Sequence, residues 1–149
     1  MRLVQVQGSR QQYRRRGAAA VEFALLIPPL IFFLLGATDF CRLFYYYVTV
    51  HNCARNGALW AADPLNDPLK NPLGLRESRY ASVDLAAKAD APSAMQGQMS
   101  VSSTPGSDAS GSNVTVEVTY PFATLVSYPG MPSTVNLTSQ VTMRVLPPY

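Results

Sequence analysis

Three kinds of hydrophobic patterning follow one another along this chain. Across residues 18–37 nearly every position is apolar, and Glu22 is the only charge. Twenty such residues in a helix rise ~30 Å, which matches the hydrocarbon thickness of a bilayer. From residue 38 the pattern turns periodic. Phe40, Phe44, Tyr47, His51, Ala54, Ala58 and Ala61 recur at spacings of three and four, while Asp39, Arg42, Arg55 and Asn56 fall mostly elsewhere around the helix. One helix is therefore expected over residues 18–62, ~68 Å long, with a membrane-spanning first half (18–37) and an amphipathic second half (38–62). Pro28 and Pro29 remove backbone donors within the apolar half, and a kink or loosened turn is expected there.

After residue 98 the period falls to two. Met99, Val101 and Ser103 alternate weakly with polar neighbours. Val114, Val116, Val118, Tyr120 and Phe122 alternate cleanly with Thr115, Glu117, Thr119 and Pro121, and Val135, Leu137, Val141, Met143 and Val145 repeat the pattern. Three strands with one apolar face must cover it, and the available cover is the amphipathic half of the long helix. Between helix and strands, residues 64–74 read as a proline-rich loop, residues 78–91 as one short helix stopped by Pro92, and residues 105–112 as a turn. The expected fold is α+β: a long N-terminal helix packed on a small three-stranded antiparallel sheet, with one short extra helix. Residues 63–149 form the extracytoplasmic domain.

Charge changes the picture mainly by its position. The 149 residues hold 12 Lys and Arg against 9 Asp and Glu, a balance that ordinarily invites a nucleic-acid partner. Five of those cations, Arg2, Arg10, Arg14, Arg15 and Arg16, precede Gly17, and beyond it acids outnumber bases. Residues 1–17 therefore read as a disordered, basic cytoplasmic leader. The positive-inside rule keeps Arg14, Arg15 and Arg16 in the cytoplasm and sends the rest across. A cleaved secretory signal fits poorly, because Glu22 interrupts its apolar region and no good small-x-small site follows. An uncleaved signal anchor has the same topology and stays open.

The residues around Gly17 carry a resemblance. Gly17, four small or apolar residues, then Glu22 and Phe23 ahead of an apolar helix resemble the processing site of type IV prepilins. The run from Ala19 through Glu22 and Phe23 to Pro28, then Asp39, Phe40, Arg42, Leu43, Phe44 and Tyr45, then Asn52, Ala54, Arg55, Asn56, Gly57 and Ala58, resembles the TadE family of pseudopilin-like proteins from tight-adherence pilus systems. Cys41 and Cys53 depart from the small residues expected at those two points. The resemblance implies cleavage by a prepilin peptidase between Gly17 and Ala18 at the inner membrane, an N-terminus in the cytoplasm, and other pilin-like subunits and the pilus assembly machinery as partners. It also implies that Glu22 meets the freed amine of a neighbouring subunit and sets axial register, since two charges costly in lipid partly cancel when paired. The alternative is an uncleaved, single-pass anchored binding module that uses its sheet and loops.

No constellation for catalysis stands out. His51, the one histidine, reads as a packing or surface residue, and the acids Asp63, Asp67, Glu77, Asp84 and Asp90 are scattered. No metal-ligand spacing, phosphate loop or cofactor motif occurs, so neither enzyme activity, nor a cofactor, a nucleic acid or a small-molecule substrate is expected. Cys41 and Cys53 lie ~18 Å apart along one helix and ~120° around it, too far for a disulfide within the chain; they read as small packing residues, with an intermolecular bond as the alternative. Asn113 with Thr115, and Asn136 with Thr138, match the glycosylation pattern but fall in expected strands. Ala54 with Ala58, and Gly57 with Ala61, form small-xxx-small pairs that permit close helix approach.

Overall fold

The computed structural model describes residues 9–66, 78–108, 111–127, 130 and 132–145; the side chains of residues 9–16 and 108 lie outside that description. The chain divides into two compact units, Met1–Phe40 and Cys41–Tyr149. A single helix, α1 (Ser9–Ala62), runs through both. It starts earlier than the sequence pattern suggests: residues 9–16, expected to be a disordered leader, are helical, while residues 1–8 lie outside the described residues. Pro28 and Pro29 sit inside α1, and the helix continues on either side of them.

In the second unit a three-stranded antiparallel sheet forms from β1 (Ser100–Asp108), β2 (Gly111–Ala123) and β3 (Thr134–Arg144), in the order β1-β2-β3. β2 is the central strand and reads most clearly, with Val114, Val116, Val118, Tyr120 and Phe122 all buried on one face. Cross-strand partners carry that face outward, Val101 beside Val118 on one side and Leu137 beside Tyr120 on the other. The opposite face is polar, and Thr115 with Thr142 and Thr119 with Thr138 hydrogen-bond hydroxyl to hydroxyl at 2.8 and 3.0 Å. The turn expected over residues 105–112 is far shorter. Pro105, Gly106, Ser107 and Asp108 pair in register with Val114, Asn113, Ser112 and Gly111, so the sheet absorbs most of that stretch. Gly111 has φ of 123°, a conformation glycine adopts at no steric cost, and this lets the chain reverse directly into β2.

The C-terminal half of α1 covers the apolar face of the sheet. Leu43, Tyr46, Val50, Cys53, Ala54, Ala58 and Ala61 belong to or pack on the core, with Val50, Cys53, Ala54 and Ala58 wholly buried. The stripe changes from large to small along the helix. Tyr46 packs its ring on Tyr120 and Phe122 at 5.4 and 5.7 Å, and Arg42 lies over the Phe122 ring. One or more turns later, alanines, Cys53 and Gly57 let the helix approach the sheet closely. A Cβ added at Gly57 would meet Val116 Cγ1 and Ala87 Cβ, each at 3.0 Å.

The single short helix expected over residues 78–91 is instead two short turns, α2 (Val83–Lys88) and α3 (Ser93–Gln96). Residues before Val83 are committed elsewhere: the Trp60 indole donates to Ser78 Oγ at 2.8 Å and to the Tyr80 carbonyl at 3.2 Å. Ser82 then caps α2 by accepting from the Leu85 N–H, and Lys88 pairs with Asp84 one turn back. Gln96 ties the two turns together by donating to the Lys88 and Ala91 carbonyls. At the end of α1, Asn66 donates to the Trp60 carbonyl, and Pro64–Asn66 forms one 3-10 turn. The rest of the loop expected over residues 64–74 lies outside the described residues.

Candidate functional site: an exposed apolar helix and its acid

In the first unit every large apolar side chain between Val21 and Leu34 is exposed, from 37% at Ile27 to 74% at Phe33. Nothing of its apolar run is buried inside the protein, although Asp39 just beyond that run is, and the helix is long and apolar enough to cross a membrane. A soluble chain would leave such surface in contact with water at ~25 cal/mol per Å2. Lipid or other apolar helices remove that cost, and contiguous exposed apolar surface of this size marks an interaction site.

Glu22 is exposed on this helix, and a Cβ added at Gly17 would meet nothing within 4 Å. Ala18 and Glu22 are one turn apart, ~6 Å along the axis and ~40° around it, so they share a face. Arg14, Arg15 and Arg16 occupy the preceding turns of α1, and their side chains lie outside the described residues. Among the described residues, no hydrogen bond or ion pair joins Glu22 to a partner group.

The residues named for helix packing divide into two sets. Ala54, Gly57 and Ala58 are buried against the sheet and α2, with Ala61 half-buried beside them. Phe40, Phe44 and Tyr47 are 69%, 61% and 48% exposed. The flank that meets the sheet is the neighbouring one, Leu43, Tyr46 and Val50, which spacing alone did not single out. Its signal was the run of small residues at 53, 54, 57 and 58, which suits a close helix-on-sheet contact.

His51 shares a hydrogen bond with Ser139 of β3, Nδ1 to Oγ at 3.1 Å. Both cysteines are free, yet only one is a packing residue: Cys53 is buried, and Cys41 is exposed. Burial, with a smaller contribution from Asp90, pushes the Cys53 thiol up to about 11. It is therefore a neutral, unreactive core group at physiological pH. Tyr120 is also shifted up, first by burial and then by Tyr46, against an opposing pull from Arg42. A cavity of about 480 Å3 opens between the end of α1, α2 and the β1–β2 hairpin, lined among others by Trp60, Asp63, Ser82 and Asn113.

An exposed apolar helix, long and apolar enough to cross a membrane, that runs on into the core of a small α+β domain defines a class of α+β proteins with one candidate membrane span. Within that class, residues 17–59 match the family model described as TadE-like protein, under a third of the chain. The family is one of pilin-like structural proteins associated with tight-adherence pili, and the matched stretch holds both the exposed helix and most of its sheet-covering half. No curated protein and no solved structure matches the chain.

Proposed function

We propose that this protein is a TadE-like minor pilin or pseudopilin of the bacterial inner membrane, cut after Gly17 by a prepilin peptidase and used in assembling an adhesive tight-adherence pilus or a related secretion system. Residues 18–37 span the membrane, residues 1–17 are the cytoplasmic leader, and the domain built on residues 38–149 is extracytoplasmic. The observation that carries the reading is the coincidence, inside one family-matched stretch, of Gly17 in open space with an acid one turn beyond the bond to be cut, on an otherwise apolar helix segment whose large side chains from Val21 to Leu34 are all exposed.

The chemistry is done to the protein rather than by it. The bond between Gly17 and Ala18 lies within α1, so the peptidase must open a local turn. Glycine eases this, since it weakens a helix by about 1 kcal/mol relative to alanine. Cleavage frees the Ala18 amine, cationic when solvated, and leaves Glu22 in the first turns of a new helix, where a negative charge is favoured by the helix dipole. In a bundle the acid of one subunit meets the amine of another and fixes their axial offset. Mass spectrometry of membrane-extracted protein tests the first step: a chain beginning at Ala18 is expected, and bulk protein retaining its arginine-rich leader overturns it.

A second reading, an uncleaved anchored binding module, draws on the cavity beside Trp60, whose indole is pinned by Ser78 and Tyr80. An intact leader together with a ligand that perturbs Trp60 fluorescence would favour it.

A further inference from the structure

β1 and β3 are the two edges of the sheet, and an edge strand presents a row of main-chain N–H and C=O groups with no neighbour. The two edges are built differently. β1 carries Pro105 opposite Val114, followed by Gly106. Proline has no N–H to offer, so its place in a sheet is an edge whose outer side no strand will join. β3 pairs with β2 along its whole length, from Thr134 beside Ala123 to Arg144 beside Asn113. It contains no proline or glycine, and its only charge is Arg144 at its end. Among the described residues, none makes a main-chain hydrogen bond to its outer side. Among the described residues, then, one edge is blunted and the other is left able to pair.

Beside the open edge, α1 exposes aromatic side chains. His51 reaches Ser139 of β3, which identifies the flank of the helix that faces that strand. Tyr47 and Phe44 lie one and two turns earlier on the same flank, 48% and 61% exposed. At that level Tyr46 packs on Tyr120 and Phe122, and their β3 partners are Leu137 and Val135. Phe44 and Tyr47 therefore lie on the flank of α1 nearest β3, at the level of Val135 and Leu137.

We infer that the outer edge of β3 and the Phe44–Tyr47 flank of α1 together form a docking site for an extended strand of a different protein chain, apolar at every second residue. Its main chain pairs with β3, its apolar side chains cover Phe44, Tyr47 and half-buried Val135, and its other side continues the polar row of Asn136, Thr138 and Gln140. This is strand addition, in which main-chain bonds supply affinity and alternate side chains supply selectivity. A second copy of this protein fits the site poorly. Antiparallel pairing of β3 with β3 needs a two-fold axis perpendicular to the sheet, which reverses α1 between copies and points their Cys41 ends in opposite directions, so both cannot enter one membrane; this step rests on the anchoring reading above. Parallel pairing of β3 with β3 places the two helices on opposite faces and sets apolar against polar rows. Pairing with β1 of another copy meets Pro105.

The test uses full-length protein in detergent micelles, residue-resolved hydrogen exchange over β3, and a synthetic peptide with the sequence of Gly111–Ala123, which alternates correctly and already pairs with β3 from the other side. In free protein the alternate, outward-facing amides of β3 are expected to exchange roughly a hundredfold faster than those bonded to β2, independent of protein concentration. The peptide should slow the outward set roughly tenfold or more. Val135→Lys, which puts a charge facing inward at the edge, and Tyr47→Ala, which leaves the sheet untouched, should each remove most of that slowing without altering the β2-bonded set. Outward amides already slow in free protein at every concentration would mean the chain covers its own edge. Slowing that grows with protein concentration would make the occupant a second copy. A peptide without effect at millimolar concentration, or one indifferent to Tyr47→Ala, would likewise overturn the site. Membrane fractionation reads the anchoring separately, so its failure would leave the exchange result interpretable.

Discussion

Gly57 of the long helix and Val116 of the central strand approach so closely that a single added carbon on the glycine would lie 3.0 Å from the valine Cγ1. This contact, with Ala87 on its other side, sets the distance between helix and sheet. Gly57→Val should therefore destabilise the domain by about 1–3 kcal/mol through overpacking, despite raising helix propensity. Thermal unfolding of the detergent-solubilised protein, followed by far-ultraviolet circular dichroism, measures it. An unchanged or raised midpoint would show that the helix can step back at little cost.

The two cysteines should separate by reactivity. Cys41 is exposed and Cys53 is wholly buried, so a maleimide is expected to label Cys41 in the native state and Cys53 only after denaturation. Equal labelling of both in folded protein would contradict the buried position of Cys53.

Cys53 also predicts a pH dependence with a definite sign. Its folded thiol titrates at about 11 against an ordinary value of 9.0. The unfolded chain loses this proton first, so stability is unaffected below pH ~9, falls as pH rises through the interval up to about 11, and levels off above it, with a full effect of order 3 kcal/mol. Tyrosines titrate in the same range, so the informative quantity is the difference between the native protein and Cys53→Ala. The variant should be less stable at neutral pH, because it empties part of the core, but its decline above pH 9 should be shallower. Parallel pH profiles would show that the thiol is not responsible.

Under the proposed function, Glu22→Gln should still insert in the membrane, because removing a charge lowers the cost of insertion, and should still be cut after Gly17, because that bond is left unchanged. Under the proposed register role it should assemble poorly, seen as a loss of crosslinked higher-order species at equal expression. Normal incorporation would leave the acid without that role.

Ser82→Ala removes the side-chain cap of α2 and is expected to cost about 1 kcal/mol. Because Ala87 on that short helix contacts the Gly57 position, the same change should loosen the packing there. A double-mutant cycle between positions 82 and 57 should show coupling above ~0.5 kcal/mol, whereas strict additivity would make α2 an independent appendage.

By itself the sequence determined the elements whose signal is local. A run from 18 to 37 that is apolar but for Glu22 and the right length to cross a bilayer favours a helix, because in an apolar medium every backbone group must be satisfied within the segment. The alternation from Val114 to Phe122 likewise committed β2 to a sheet with one buried face. Residue order also singled out Gly17 and Glu22, whose proposed roles rest on their spacing along one helix. The tertiary structure decided which flank of α1 meets the sheet. Large apolar residues lie on two adjacent flanks, Phe44 with Tyr47 and Leu43 with Tyr46, and periodicity scores both alike; the run of small residues from Cys53 to Ala58 and its fit to Val116 chose between them. It also decided how far β1 runs. Serine, proline and glycine at 103, 105 and 106 have no strand preference of their own, and they become strand because β2 supplies the hydrogen-bonding partner that propensity cannot foresee.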